Sequence, residues 1–237
     1  MNMKSDAELQ KELKEYKKEK FRKFLKVLFK RKMVLISAIG LALFICMAIF
    51  APIISPYDPN AQSLMDTLKG PSAQYLLGTD NYGRDILSRI FYGARVSLVV
   101  GVAAVLVACA IGTFFGMVAG FFGGWVDDVI NRISEAIRAI PQIVLAMSLC
   151  AVFGGGILNL SIILGISNIA VYIRMMRGQV LSIKQQDYIM AAKLQGNSSM
   201  GIMMKHILPN CISPIIVQMT LQVGQTILSE AVSAFWV

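Results

Sequence analysis

Two stretches of this chain dictate its surroundings. Met33–Ile54 runs 22 residues without a charge, and Ser97–Phe122 runs 26. A helix needs roughly 17–25 apolar residues to cross the ~30 Å hydrocarbon core of a bilayer, and there it must satisfy its own backbone N–H and C=O groups. Three further apolar stretches, Ile137–Phe153, Ile157–Ile173 and Cys211–Leu228, the last continuing toward Val237, predict three more spans. Pro141 lies near the start of the third. Only 16% of residues are charged and 56% are hydrophobic, where a soluble domain carries about a quarter charged residues. The expectation is an all-α, polytopic membrane bundle of five transmembrane helices. The sequence closes on Ala234-Phe235-Trp236-Val237, inside an apolar stretch, so a sixth, returning helix is expected to be missing. Met33–Ile54 exceeds the about 7–15 apolar residues of a cleaved signal peptide and reads as a retained anchor.

Charge placement predicts orientation. Residues 1–32 hold twelve Lys/Arg against five acids, so +7 of the net +9 precedes the first span. By the excess of basic residues found on cytoplasmic segments, residues 1–32 are a basic cytoplasmic segment. Gly123–Ala136 and Arg174–His206 then fall on the same side, the latter with Arg174, Arg177, Lys184, Lys193 and Lys205 against Asp187 alone. The segment 55–96 is extracytoplasmic and charge-balanced. Residues 33–54 form the first span, and 97–237 form the core, with a cytoplasmic loop at about 183–209. No nucleic-acid reader motif accompanies the basic segment.

Chemistry-bearing residues are sparse. Cys46, Cys109, Cys150 and Cys211 form no CxxC pair and read as small buried hydrophobes. His206 is the single histidine and reads as structural. No GxxxxGK[ST] phosphate loop, Ser/His/Asp set or HExxH motif occurs, so no catalytic, cofactor-binding or metal residue is assigned. Glu230 in the last apolar stretch is either an intramembrane functional carboxylate or a residue at the outer, watery helix end.

The second span carries small residues every fourth position: Ala104, Ala108, Gly112, Gly116, Gly120 and Gly124. Such spacing lets a neighbouring backbone approach closely in lipid, where packing drives association. Because the helix repeats every 3.6 residues, the ridge winds slowly and suits a tilted neighbour.

The segment from Asp187 to Pro209 reads as two short helices joined by a turn. Asp187 is expected to cap the first helix, Gly196 to end it in the left-handed conformation, and Asn197 or Ser198 to cap the second. Ile189 and Ala192 share one face; Tyr188, Ala191 and Gln195 share another. Pro209 marks entry to the fifth span. A loop this long with helices of its own reads as a docking element.

These residues carry a resemblance. Ala191-Ala192, Gly196 and Ile207-Leu208-Pro209 resemble the EAA loop of ABC importer permeases, which forms coupling helices seated in the ATP-binding subunit. Met190 stands where that family usually has Glu. Leu77-Gly78-Thr79-Asp80, Gly83-Arg84-Asp85 and Ser88-Arg89 resemble the segment preceding the second span in the oligopeptide/dipeptide/nickel branch, C-type subunit. From the residues themselves, Asp80 or Asp85 is expected to pair with Arg84 or Arg89, making either a docking face or a staple for the second span. The resemblance implies a type I (MetI-like) permease fold in the bacterial inner membrane, moving peptides, or nickel or another small solute. It also implies as partners a homologous second permease, two ABC ATPase subunits and an extracytoplasmic solute-binding protein. The rival from the residues alone is an ion-coupled secondary transporter, for which Glu230 is the one intramembrane acid.

Overall fold

The computed structural model describes Glu15, Tyr16, Glu19, Arg22, Phe29 and Arg31–Trp236. The rest of the basic segment 1–32, and Val237, lie outside the described residues. The chain divides into two compact units, Met1–Ala94 and Arg95–Val237. Among the described residues there is no β-strand, only an isolated antiparallel bridge between Thr79 and Asp85.

In the first unit, α1 (Lys32–Ile54) holds Pro52 inside its last turn, and the Ser55 N–H closes that turn on the Ala51 carbonyl. A compact segment follows, with one 3-10 turn at Leu64–Asp66. It leads into α2 (Ile86–Phe122). That helix starts well before the expected Ser97. Arg89 and Arg95 interrupt the apolar run but not the helix, which Asp85 caps by accepting the Ser88 N–H at 2.8 Å.

The second unit holds the rest of α2, then α3 (Gly124–Ala139), α4 (Gln142–Phe153) and α5 (Ile157–Ile183). After these come α6 (Asp187–Leu194), α7 (Ser199–Ile202), one π turn (Met203–Ile207) and α8 (Leu208–Trp236). Among the described residues, four helical stretches are long and apolar enough to span a membrane: Lys32–Ile54, Ile86–Phe122, Ile157–Ile183 and Ser199–Val232. The third expected span, Ile137–Phe153, is not one helix. It breaks at Ile140-Pro141, and α3 meets α4 at 87°. Proline has no N–H to donate and forces its predecessor out of the helical region; Ile140 is extended at φ −93°, ψ 129°. The fourth span runs ten residues past the expected Ile173, so the connecting loop begins at Lys184, not Arg174.

The small-residue ridge of α2 packs against α5. A Cβ on Gly112 would lie 2.5 Å from the Tyr172 Cβ, one on Gly116 2.5 Å from the Ile173 carbonyl oxygen, and one on Gly120 2.8 Å from the Val180 Cβ. Gly165 answers from α5, where a Cβ would meet the Ala104 carbonyl at 3.0 Å. Ala104 and Ala108 are fully buried. Rising numbers on one helix meet rising numbers on the other, so α2 and α5 run parallel. Gly124 departs from this pattern. It opens α3 with φ +56°, and a Cβ added there would meet nothing within 4 Å.

Parallel α2 and α5 require a return between them. The α4–α5 hairpin supplies part of it, turning at Gly154–Gly156, with Ala146 and Cys150 packed among Val100, Ala104, Ile163 and Leu164. Helix α8 runs antiparallel to α2: Cys211 and Ile215 join Met117 and Phe121 in one cluster, while Ile227 lies over Gly101.

Candidate functional site

The loop between α5 and α8 is anchored from beneath and bare on top. Ile189 is fully buried and Ala192 nearly so, in a cluster with Met117, Phe121, Met176, Val180, Ile202, Met203 and Ile207. Burying one such aliphatic side chain is worth about 1.5–3 kcal/mol, so the face expected from periodicity is the one that fixes the loop. Gln186, not Asp187, is the N-cap of α6, and it makes no side-chain cap bond. Asp187 sits one position later, in the first turn, where its negative charge still faces the helix N-terminus favourably.

Gly196 has φ +77°, the left-handed geometry that ends a helix at low cost only for glycine. The Asn197 N–H then returns to the Ala192 carbonyl at 3.2 Å. Ser198 caps α7 through the Gly201 N–H at 3.1 Å. Lys184 donates to the Phe121 carbonyl at 2.6 Å, which ties the loop's start to the end of α2.

Opposite the anchor, Tyr188, Met190, Leu194, Met200 and Met204 are exposed, Leu194 at 85% and Met190 at 59%. Ala191 is exposed between them. Asn210 donates to the Tyr188 hydroxyl at 3.3 Å, linking this surface to α8. Ile207 is buried, and Leu208 and Pro209 form the first turn of α8. The Leu208 N–H reaches back five residues to Met203, a π spacing. Pro209 lacks an N–H and crowds the carbonyl four residues before it; the wider π turn stands at that position.

The second motif lies in the first unit and is a knot of charges. Asp80 accepts from the Arg84 guanidinium at 2.8 Å, from the Tyr82 N–H at 2.8 Å, from the Arg84 N–H at 3.0 Å and from Arg89. Burial opposes its ionisation, but the Arg84 and Tyr82 backbone N–H groups and the Arg84 side chain outweigh it and lower its pKa to about 2. Asp85 takes no arginine among the described residues; it accepts both the N–H and the hydroxyl of Ser88, and Ser88 accepts the Tyr57 N–H at 3.1 Å.

Asp66, which no sequence motif marks, holds Lys69, Ser63 and Tyr75, and its pKa is lowered to about 2, chiefly by Lys69. Thr79 binds the Asp66 carbonyl and accepts the Lys69 N–H at 2.9 Å. Gly78 and Gly83 have φ of +78° and +70°; a Cβ on Gly83 would sit 1.8 Å from the Ser63 carbonyl oxygen. This network staples the start of α2 to the segment before it.

A third arrangement has only one sequence signal, Glu230. Gln218, Gln222, Thr226 and Glu230 recur at four-residue steps along α8. Gln222 donates to the Asn168 side-chain oxygen at 2.7 Å, and Ser97 donates to Glu230 at 2.8 Å. Glu230 is 6% exposed: its side chain is packed inside the unit and not in water. The hydroxyl of Tyr172, one turn from Asn168, is buried without a hydrogen-bond partner among the described residues.

The chain is similar to known transport proteins along most of its length. Residues 112–237 match the family described as "Binding-protein-dependent transport system inner membrane component". Residues 20–71 match the "N-terminal TM domain of oligopeptide transport permease C". The dipeptide transport system permease protein DppC of Alkalihalophilus pseudofirmus is 41% identical over 215 residues, 91% of this chain and 71% of that protein. The glutathione transport system permease protein GsiD of Escherichia coli is 41% identical over 209 residues, 87% of this chain and 69% of that protein. DppC of Haemophilus influenzae is 36% identical over 207 residues, 85% and 70% of the two chains. With its apolar helices and this similarity, the chain belongs to the binding-protein-dependent transport system inner membrane component family, as a multi-pass permease of the oligopeptide type.

Proposed function

We propose that this chain is one of two homologous permease subunits in an ATP-driven importer that carries short peptides across the bacterial cell membrane, its amino terminus on the cytoplasmic side. The observation that carries the reading is the loop after α5. Its buried face, Ile189 and Ala192, is locked to the ends of α2 and α5, while Tyr188, Met190, Leu194 and Met200 are left exposed. Apolar side chains held rigidly in water suit a protein partner. In this reading that partner is an ATPase subunit, two of which serve the assembled importer. Met190 replaces an acid with an apolar contact.

Because α8 continues from the loop without a linker, closure of the ATPases would move a membrane-spanning helix directly. The knot around Asp80 and Asp85 would present the docking face for an extracytoplasmic binding protein. Peptide as cargo is supported by relatives named for dipeptide and glutathione transport. Hydrolysis of ATP would take place in the partner subunits, this chain having no phosphate loop.

The test is paired. Leu194→Asp and Met190→Asp change exposed side chains and leave the anchor intact. Co-purification of the ATPases and uptake of a labelled dipeptide should both fall at least about tenfold, the equivalent of about 1.4 kcal/mol. Unchanged co-purification with both variants would remove the docking assignment, and dipeptide uptake unaffected by deletion of the whole chain would remove the cargo.

A further inference from the structure

Helix α3 has the anatomy of a helix lying in a membrane surface. At about 100° per residue, its side chains fall into three sectors. Val126, Ile130, Ser134 and Ile137 face the unit, and Ser134 is buried. Trp125, Val129 and Ile133 stand on the next sector, 76%, 48% and 58% exposed. Asp128, Arg132, Glu135 and Arg138 occupy the third, all exposed. A helix in a soluble domain has two sectors, core and water. The additional apolar sector, uninterrupted by a polar side chain and headed by a tryptophan, calls for a third medium.

The helix is also placed for it. It lies at 87° to α4, and α4 runs alongside α5 in an antiparallel hairpin, so α3 lies across the span direction. Its level is set by Arg177, whose guanidinium grips Asp127 at 2.5 and 2.6 Å while Asn131 braces the same carboxylate. Arg177 stands 20 residues beyond Ile157, the start of α5, or about 30 Å along the helix, the thickness of a hydrocarbon core. Helix α4, with 12 residues, covers about 18 Å and does not cross alone.

We propose that α3 is an interfacial helix: its Trp125–Val129–Ile133 face inserts among the lipid acyl chains at the loop-side surface of the bilayer, its Asp128–Arg138 face meets water, and the Asp127–Arg177 pair holds it at that depth. Amphipathic helices with a tryptophan on the apolar side and arginine on the polar side settle about 5–10 Å into the headgroup boundary. The occupant of the exposed face is lipid, not a protein groove.

The test uses the assembled transporter in its native membrane, with the photo-crosslinker p-benzoylphenylalanine replacing one residue at a time: Val129, Ile133, Ile49 on α1 as a reference for exposed apolar residues of a span, or Arg132 as a water-facing reference. Lipid adducts are counted by mass spectrometry of the chain. Adducts at Val129 and Ile133 should come within about twofold of Ile49 and exceed Arg132 by about fivefold. Adducts to another subunit in place of lipid, or lipid adducts no more frequent than at Arg132, overturn the proposal. If a replacement blocks assembly, Trp125 is read in its place under the same criteria.

Discussion

The contact between α2 and α5 makes a prediction in which one chemical change has opposite signs at two places. Gly116 lies on the buried ridge of α2, where an added Cβ would stand 2.5 Å from the Ile173 carbonyl oxygen and 2.9 Å from the Met176 Cβ. Neither neighbour is the free end of a flexible side chain, so relief requires the two helices to part. A separation of about 0.5–1 Å forfeits a quarter to a half of each dispersion contact along the seam, and overpacking of this kind costs about 1–3 kcal/mol. Alanine returns up to about 1 kcal/mol through helix propensity. Gly116→Ala should therefore destabilise by about 1–2 kcal/mol. Gly178 is helical too, but among the described residues nothing lies within 4 Å of its Cβ position. There the propensity gain stands alone, and Gly178→Ala should be neutral or stabilise by up to about 1 kcal/mol. Reversible unfolding of the purified chain in mixed micelles, titrated with a denaturing detergent, measures both. Equal shifts for the two variants would refute the argument, because they would mean that the ridge is not in contact.

Three other outcomes follow from named contacts. Asp80 has its pKa lowered from 3.8 to about 2 by its partners, so the stability it confers is complete above about pH 4 and is lost as pH falls through about 2; limited proteolysis of residues 55–85 should show that loss in the native chain, a smaller one in Asp80→Asn, where Asp66 alone still titrates in this range, and none in Asp66→Asn with Asp80→Asn, which is already looser at neutral pH. Arg177→Met leaves the Asp127 carboxylate, whose side chain is 13% exposed, without its cation; it should destabilise more than the double variant Asp127→Leu with Arg177→Met, by about 1–3 kcal/mol in the same micelle assay, since an unpaired inward charge costs more than an absent pair. Glu230→Gln keeps an acceptor for the Ser97 hydroxyl at its 2.8 Å position and should leave dipeptide uptake within about twofold, whereas Glu230→Ala should destabilise by about 1–3 kcal/mol; abolished uptake in a well-folded Glu230→Gln chain would instead assign the charge itself to transport.

Much of this architecture is legible in residue order, and the misses have physical causes. Long uncharged runs mark α1 and the lower part of α2 because hydropathy alone decides those. The upper part of α2 is hidden by Arg89 and Arg95, which are tolerated where the helix leaves the apolar run. Helix α3 reads as a connecting segment because its charges, Asp127 to Arg138, break a hydropathy window; its apolar periodicity, from Trp125 through Val129 to Ile133, is the signal that would reveal it. Pro141 is plain in the sequence, but whether a proline kinks or breaks a helix depends on whether the two pieces find separate packing partners. The small-residue ridge names five positions that pack or are buried, and a sixth, Gly124, that follows the end of the helix. The Gln222–Asn168 and Ser97–Glu230 bonds join residues 54 and 133 positions apart, distances over which no local pattern carries information.

The π turn at Met203–Ile207 acts as a phase setting. A π turn takes up one more residue than the α-helical turn it replaces, and everything C-terminal to it is rotated accordingly. Deleting a single residue there would restore a regular α-helix and turn the whole of α8 by about 100° about its axis. Gln222, Thr226 and Glu230 would swing away from Asn168 and Ser97, and apolar residues would face those polar groups instead. The chain's tolerance of length changes is thus sharply uneven: the angular position of the last helix hangs on five residues at its root.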